Sequence, residues 1–224
     1  MKVVYDEKNR VAQKQYRVDG TGHQTKYLYG EVSKQQKPGL EYGVQVDGKT
    51  CIEYAYDLLG RCEKKTQIYP SGKKKEITYT YVQGIKEGTT TALVGTITEN
   101  GKETAYTYDG RGNILEICTK ELDTGKVTDH MLYTYTGMNQ VIREEDAVRG
   151  RTFTYAYDLG GNLLENKKYY LVNGVEELRG TDTYTYSSGW KDQLTSFNGK
   201  AITYDAMGNP LSYMGMSLTW EKGR

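Results

Sequence analysis

Polar and apolar positions alternate with period two before each of a series of turns, as in Tyr106 and Tyr108 against Thr107 and Asp109. Alternation of this kind puts successive side chains on opposite faces of a pleated strand and is not helical patterning. The alternating stretches also repeat. VVYDEKNRVAQK (3–14), YAYDLLGRCEKK (54–65), YTYDGRGNILEI (106–117), YAYDLGGNLLEN (155–166) and ITYDAMGNPLSY (202–213) align without gaps. Weaker copies fall between and after them: KYLYGEVSKQ (26–35), YTYVQGIKEG (79–88), YTYTGMNQVIRE (133–144), YTYSSGWKDQL (184–194) and LTWEKGR (218–224). The aromatic before each turn gives the anchors Tyr5, Tyr29, Tyr56, Tyr81, Tyr108, Tyr135, Tyr157, Tyr186, Tyr204 and Trp220, mostly twenty-odd residues apart. That interval holds two strands of about 5–6 residues and two hairpin turns.

Two kinds of turn are legible. After the anchor comes Asp-x-x-Gly: Asp57 to Gly60, Asp109 to Gly112, Asp158 to Gly161 and Asp205 to Gly208. Asp at the first position of a type I turn accepts backbone N–H groups, and Gly at the fourth supplies the positive φ that closes the hairpin. Asn9 and Asn139 stand where other copies have that Gly, and Asn is the other residue that tolerates left-handed geometry. Between successive anchors lie Asp47-Gly48, Ser71-Gly72, Asn100-Gly101, Thr124-Gly125, Arg149-Gly150, Asn173-Gly174, Asn198-Gly199 and Met214-Gly215, the second row of hairpin turns.

The expected fold is all-β: one continuous antiparallel meander of about ten hairpin units and about twenty strands over residues 1–224, with no separate second domain. Tyr54, Tyr56, Tyr106, Tyr108, Tyr155, Tyr157 and Tyr204 form the expected tyrosine rows, whose cross-strand ring pairs contribute roughly 0.2–1 kcal/mol each. About twenty strands at ~4.8 Å make a ribbon roughly 96 Å across. Closed into one ring it is only ~30 Å wide, too narrow for a folded domain of ~34 Å diameter, so the chain is expected to supply part of a wall.

Composition agrees. The 22 Tyr against 2 Phe and 2 Trp, with 26 Gly and 37% hydrophobic residues, suit a thin half-buried sheet better than a deep core; the mean hydropathy is −0.75. A net charge of +1 gives no reason to expect nucleic acid or an anionic membrane as partner. No stretch is apolar enough for a helical membrane span, so membrane insertion is not expected. Cys51, Cys62 and Cys118 lack metal-ligand spacing and are odd in number, which leaves them as unpaired strand residues. The repeat is running at Tyr5 and again at Trp220, so a fragment of a longer protein is expected, with any targeting signal outside it.

The unit YxYDxxGR/N followed by a strand resembles the YD repeats of the Rhs family, which includes bacterial polymorphic toxins, wall-associated proteins, insecticidal toxin-complex C components and teneurins. Five full and five degenerate copies cover nearly the whole chain. The ending at 202–224 is similar to the repeats just before the C-terminal end of a bacterial Rhs core. The resemblance implies a spiralling β-shell that encloses a C-terminal effector polypeptide, with neighbouring YD repeats as further partners. It implies a secreted or cell-surface setting. It places the family's self-cleaving segment and effector beyond Arg224, which leaves no toxic or proteolytic activity to expect within this chain.

Chemical readings of single residues are weaker than structural ones. The repeated Asp57, Asp109, Asp158 and Asp205 recur once per hairpin, whereas a calcium site needs 6–8 oxygens gathered together. His23 and His130 sit in polar stretches without a catalytic constellation, and Lys73 to Lys75 read as a solvated turn edge. No enzyme, cofactor or metal is expected. The expected role is a structural segment that encloses or displays a polypeptide, and the isolated chain is expected to self-associate through open strand edges. The alternative is a cell-surface carbohydrate or receptor-binding module that uses exposed Tyr rows. The two differ in whether the rows are packed or solvated.

Overall fold

The computed structural model describes residues 1–31, 34 and 36–221. The ends of two weak copies, Val32, Ser33 and Gln35 in one and Lys222 to Arg224 in the other, lie outside the described residues. No α-helix occurs among the described residues, and none is long and apolar enough to cross a membrane. The strands are β1 (Lys2–Tyr5), β2 (Val11–Val18), β3 (Thr21–Tyr29), β4 (Glu41–Val46), β5 (Lys49–Tyr56), β6 (Cys62–Ile68), β7 (Lys74–Gln83), β8 (Thr90–Glu99), β9 (Lys102–Tyr108) and β10 (Ile114–Glu121). They continue as β11 (Val127–Tyr135), β12 (Val141–Asp146), β13 (Arg151–Tyr157), β14 (Leu163–Val172), β15 (Val175–Tyr186), β16 (Leu194–Phe197), β17 (Lys200–Ala201), β18 (Ser212–Tyr213) and β19 (Met216–Ser217).

The first seventeen belong to one 17-stranded sheet, while β18 and β19 pair only with each other. Described pairings join sequence neighbours antiparallel, from β1–β2 through β8–β9 and from β11–β12 through β16–β17. Regular pairing thins out at the last full copy, where Tyr204 and Pro210 make only an isolated bridge. Pro210 stands where other copies have Val11, Val141 or Leu163, and it has no N–H to give to a ladder.

Contacts divide the chain into two units, 1–106 with 119–126 and 107–118 with 127–224. In the first, the register lines up Tyr27, Val44 and Ile52 on one face, followed on that face by Tyr54, Lys65 and Ile77 and by Tyr79 with Ile97. The other face carries Glu53, Thr66 and Glu76, and Ala55, Lys64, Thr78 and Thr98. In the second unit Tyr133, Glu144, Phe153 and Lys168 share the tyrosine face, opposed by Thr134, Arg143, Thr154, Lys167 and Thr181. Ion pairs such as Lys64–Glu76 at 2.5 Å and Arg143–Glu145 at 2.6 Å lace the polar face.

Among the described residues the buried apolar side chains are Val44 and Ile202 alone, and no large side chain is fully buried. The protein exposes 15414 Å², whereas a compact monomer of this mass exposes about 10,300 Å². The surplus goes with a sheet among whose described residues almost no side chain is deeply buried.

Candidate functional site

The repeating geometry is the part of the molecule with a definite chemistry. At Asp57 the turn closes through Asp57 N–H to the Arg61 carbonyl and Gly60 N–H to the Asp57 carbonyl, both 3.0 Å. The carboxylate holds it from inside: Oδ1 accepts the N–H groups of Leu59 and Arg61, each at 2.9 Å. Asp109 receives Arg111 and Asn113 in the same way, Asp158 receives Gly160 and Asn162, and Asp205 receives Met207 and Asn209. The fourth turn position has positive φ throughout: 84° at Gly60, 87° at Gly112, 90° at Gly161 and 84° at Gly208, and 59° and 64° where Asn9 and Asn139 replace Gly.

A residue that sequence reasoning left out completes each turn. The fifth residue donates its side chain to the second carboxylate oxygen: Arg61 Nε to Asp57 at 2.6 Å, and the amides of Asn113, Asn162 and Asn209 to their Asp at 2.8, 2.8 and 2.9 Å. It also reaches the next unit. Arg10 and Arg61 lie over the rings of Tyr29 and Tyr81, 3.9 and 4.0 Å from the centroids. Asn113 bonds Asn139 at 2.9 Å, and Asn162 bonds the Lys191 carbonyl at 3.2 Å. The signal was present as the R/N column of the motif, since both side chains are donors.

The anchors form a second repeating feature. A register shift marks each described anchor from Tyr5 through Tyr186 in the strand pairings, with an extra residue on the opposite strand. The hydroxyl of the following anchor donates to the carbonyl at that bulge. Tyr29 reaches Val11 at 3.1 Å, Tyr56 reaches Glu41 at 2.5 Å and Tyr81 reaches Cys62 at 2.8 Å. Tyr135 reaches Ile114, Tyr157 reaches Val141, Tyr186 reaches Leu163 and Tyr204 reaches Leu194, at 2.7, 2.8, 3.0 and 2.7 Å. Wherever the register is described, the acceptor is the residue paired with the preceding anchor, for example Val141 with Tyr135 and Leu163 with Tyr157. Trp220 keeps the rule: its indole N–H donates to the carbonyl of Pro210, the partner of Tyr204, at 2.7 Å.

Ring stacking is less regular than the tyrosine rows led us to expect. Described ring pairs are scattered: Tyr42–Tyr56, Tyr54–Tyr56 and Tyr184–Phe197 with centroids 5.1, 6.4 and 5.2 Å apart. Consecutive anchors lie two strands apart, and the hydroxyl of each bonds the strand between them, a gap that ring contact does not span. Burial pushes the Tyr56 and Tyr155 hydroxyls up to about 12, with neighbouring Cys62 and Glu41 adding to Tyr56 and Glu144 to Tyr155. Tyr54 rises for the same reason.

The second row of turns is more mixed than its sequence. Asp47, Asn100, Asn173, Asn198 and Met214 have positive φ together with the following Gly, as does Asp19-Gly20, which sequence reasoning passed over. Ser71-Gly72 instead ends a turn built like the first row, with Tyr69 N–H on the Lys73 carbonyl and Gly72 N–H on Tyr69, both 2.9 Å. The histidines are not the lone turn residues they seemed. His23 in β3 meets Asp47, and His130 in β11 meets Glu116, each at 2.7 Å, because sheet register brings in carboxylates distant in sequence. The three cysteines are free and half-buried, and no metal-binding group of His, Cys, Asp or Glu occurs among the described residues.

Two solved structures share this architecture. One is the Photorhabdus luminescens Tc holotoxin pore carrying a TccC3 mutation, at TM-score 0.52 and 13% identity, covering 90% of this chain and 13% of that one. The other is a TcdB2–TccC3 crystal structure, at TM-score 0.51 and 15% identity, covering 93% and 12%. The chain thus spans about an eighth of those proteins. No family model and no curated protein matches. At this identity the likeness is one of fold.

Proposed function

We propose that this chain is a non-enzymatic wall segment of a secreted or cell-surface YD-repeat protein, whose tyrosine face is covered by an enclosed polypeptide. The observation that carries the reading is the lack of a deep core. A sheet whose Tyr, Ile and Val side chains are mostly only half-buried, with about 5,000 Å² more exposed area than a compact chain of this mass, has surface left to meet something. The neighbouring repeats of the parent protein and a C-terminal effector are the partners this reading assigns, in line with the fold of the Tc toxin components.

The anchor hydroxyls argue against the carbohydrate-binding alternative. Those of Tyr56, Tyr157 and Tyr204 donate their protons to backbone carbonyls, which leaves each only acceptor lone pairs to offer a sugar.

A photo-crosslinking amino acid placed at Ile97 on the tyrosine face, or at Thr98 on the polar face, of the parent protein in its producing cell tests the reading. Crosslinks to an internal or effector polypeptide from Ile97 alone are expected. Equal crosslinking from both positions refutes an enclosed partner. A glycan array probed with the chain, with Tyr108→Ala and Tyr157→Ala as controls, decides the alternative: specific binding lost on substitution overturns the scaffold reading.

A further inference from the structure

On the tyrosine face one position recurs opposite the ring two residues before an anchor. Register places Val44 across from Tyr27, Lys65 across from Tyr54, Ile97 across from Tyr79, Glu144 across from Tyr133 and Asn166 across from Tyr155. Glu144 is the acid of this set, and a carboxylate gains nothing from a ring whose face is itself negative. Its neighbour on the other side is Phe153. Its half-buried carboxylate receives one long hydrogen bond, 3.3 Å from the Tyr155 hydroxyl, and has no ion-pair partner among the described residues.

The other charges nearby on this face are already matched. Asp129 and Asp146 both meet Arg149 at 2.9 Å, Asp182 meets Lys168 at 2.7 Å, and Arg151 lies over the Tyr170 ring, 5.4 Å from its centroid. Around Glu144 the shortage is of donors. Across from Tyr155, Asn166 is 9% exposed and its Oδ1 receives no hydrogen bond. A carboxylate drawn partly out of water with so little donated to it is stabilised by N–H groups arriving from outside.

The protein shows elsewhere what fits between an acid and a tyrosine ring. Arg10 gives its Nε to Asp6 at 2.7 Å while its guanidinium lies 3.9 Å from the Tyr29 centroid. Arg61 does the same between Asp57, at 2.6 Å, and Tyr81, at 4.0 Å. A guanidinium serves both, because its edge donates to the carboxylate and its plane stacks on the ring. Glu144 with Tyr133, Phe153 and Tyr155 offers the acid and the rings without the arginine. We infer that this place receives an arginine side chain of the polypeptide that covers the tyrosine face. The inference rests on the wall reading above and adds a chemical requirement to it, a guanidinium on the covering segment. A quaternary ammonium fits less well, since it brings charge to the rings but no N–H to Glu144.

Titration of the chain with the peptide acetyl-Gly-Arg-Gly-amide, followed by NMR at the ring signals of Tyr133, Phe153 and Tyr155, is the test. Saturable shifts at these rings are expected with arginine and none with the uncharged citrulline peptide of the same shape. Glu144→Gln is expected to weaken binding about tenfold, while Glu165→Gln, on the opposite face, binds as the wild type does. The citrulline comparison needs no variant, so it stands even where Glu144→Gln disturbs folding. Equal shifts with citrulline, no saturation with arginine, full binding by Glu144→Gln, or tighter binding of phosphocholine than of the arginine peptide each overturns the inference. The crosslinking result is separable from this one. Crosslinks from Ile97 with a failed titration remove the arginine site and leave the enclosed polypeptide, whereas a successful titration without those crosslinks keeps the site and removes the enclosed partner.

Discussion

Replacing Tyr157 by Phe removes one oxygen and keeps the ring, so it isolates the bond between consecutive units. The hydroxyl lies 2.8 Å from the Val141 carbonyl, at the bulge opposite Tyr135. Both residues are half-buried, so water replaces the lost donor only in part, and the cost is about 1 kcal/mol, between the net value of an ordinary hydrogen bond and that of a stranded acceptor. That amounts to about a fivefold change in the local opening constant. With a urea slope of about 2 kcal/mol/M it moves the unfolding midpoint down by about 0.5 M. Native-state hydrogen exchange reads it locally: amides of β12 to β14 lose protection while those of β2 and β3 keep theirs, because a repeat array transmits stability mainly to nearest neighbours. Tyr5→Phe is the control. As the first anchor, Tyr5 is 56% exposed and donates to no carbonyl among the described residues, so its loss is expected to be silent. If the two substitutions behave alike, the hydroxyls are decoration and the linkage between units lies elsewhere.

Asn162→Ala, which strips the fifth-position donor from Asp158 and the bond to Lys191, is expected to cost about 1 kcal/mol in urea unfolding; no loss refutes a role for that column. Acid unfolding tests the same feature. The side chain of the fifth turn residue, helped by turn N–H groups, holds Asp6, Asp109, Asp158 and Asp205 below the ordinary carboxylate range. Their folded values lie below the unfolded ones, so the stability they add is complete above about pH 4 and lost as pH falls through the folded values. Circular dichroism against pH should place the acid transition below pH 4, and Asn162→Ala should move it upward. At the other end, Tyr56 and Tyr155 titrate at about 12; their contribution is complete below about pH 10 and disappears as pH rises to 12. Ultraviolet titration should therefore show late tyrosines that ionise together with unfolding, and ionisation of every tyrosine near 10 in folded protein contradicts this. Met214 holds φ 51° without the excuse of Gly or Asn, so Met214→Asn is expected to gain about 1 kcal/mol in the same urea assay.

The sheet, its antiparallel order and the Asp-x-x-Gly turns were legible because each rests on local signals. Alternation sets the strand, and the φ demanded at Gly60 or Asn139 sets the turn. Three things were not legible, for a common reason. The Tyr-to-carbonyl bonds, the Arg10 and Arg61 contacts with the next anchor and the His–carboxylate pairs join residues brought together only by register. Composition hints at them without locating them: 22 Tyr against 2 Phe is hard to explain by packing, which Phe does as well. At the end of the array the Asp205 turn forms as the motif ITYDAMGN announces, while the pairing beyond it is thinner, with Tyr204 and Pro210 in an isolated bridge.

The preference for Tyr over Phe carries the physical argument furthest. A sheet with almost no interior cannot draw its cohesion from side chains sealed away from water, and among the described residues only Val44 and Ile202 are buried apolar side chains. Backbone ladders hold each strand to its neighbours, yet each anchor whose register is described interrupts the ladder with a bulge, a feature that bends a strand and sharpens its twist. A hydroxyl from the adjoining strand on the far side of the bulge bonds at that interruption and ties each hairpin to the one before it. The requirement is for a ring that lies on the sheet and a donor at its far edge. Tyr meets it, Trp220 meets it with an indole N–H, and Phe does not. The same logic explains the fifth turn position, where Arg and Asn alternate although their charge and size differ, because both donate to the Asp behind them and reach the unit ahead. The repeat is therefore built to hold strand to strand and hairpin to hairpin where few apolar side chains among the described residues are buried.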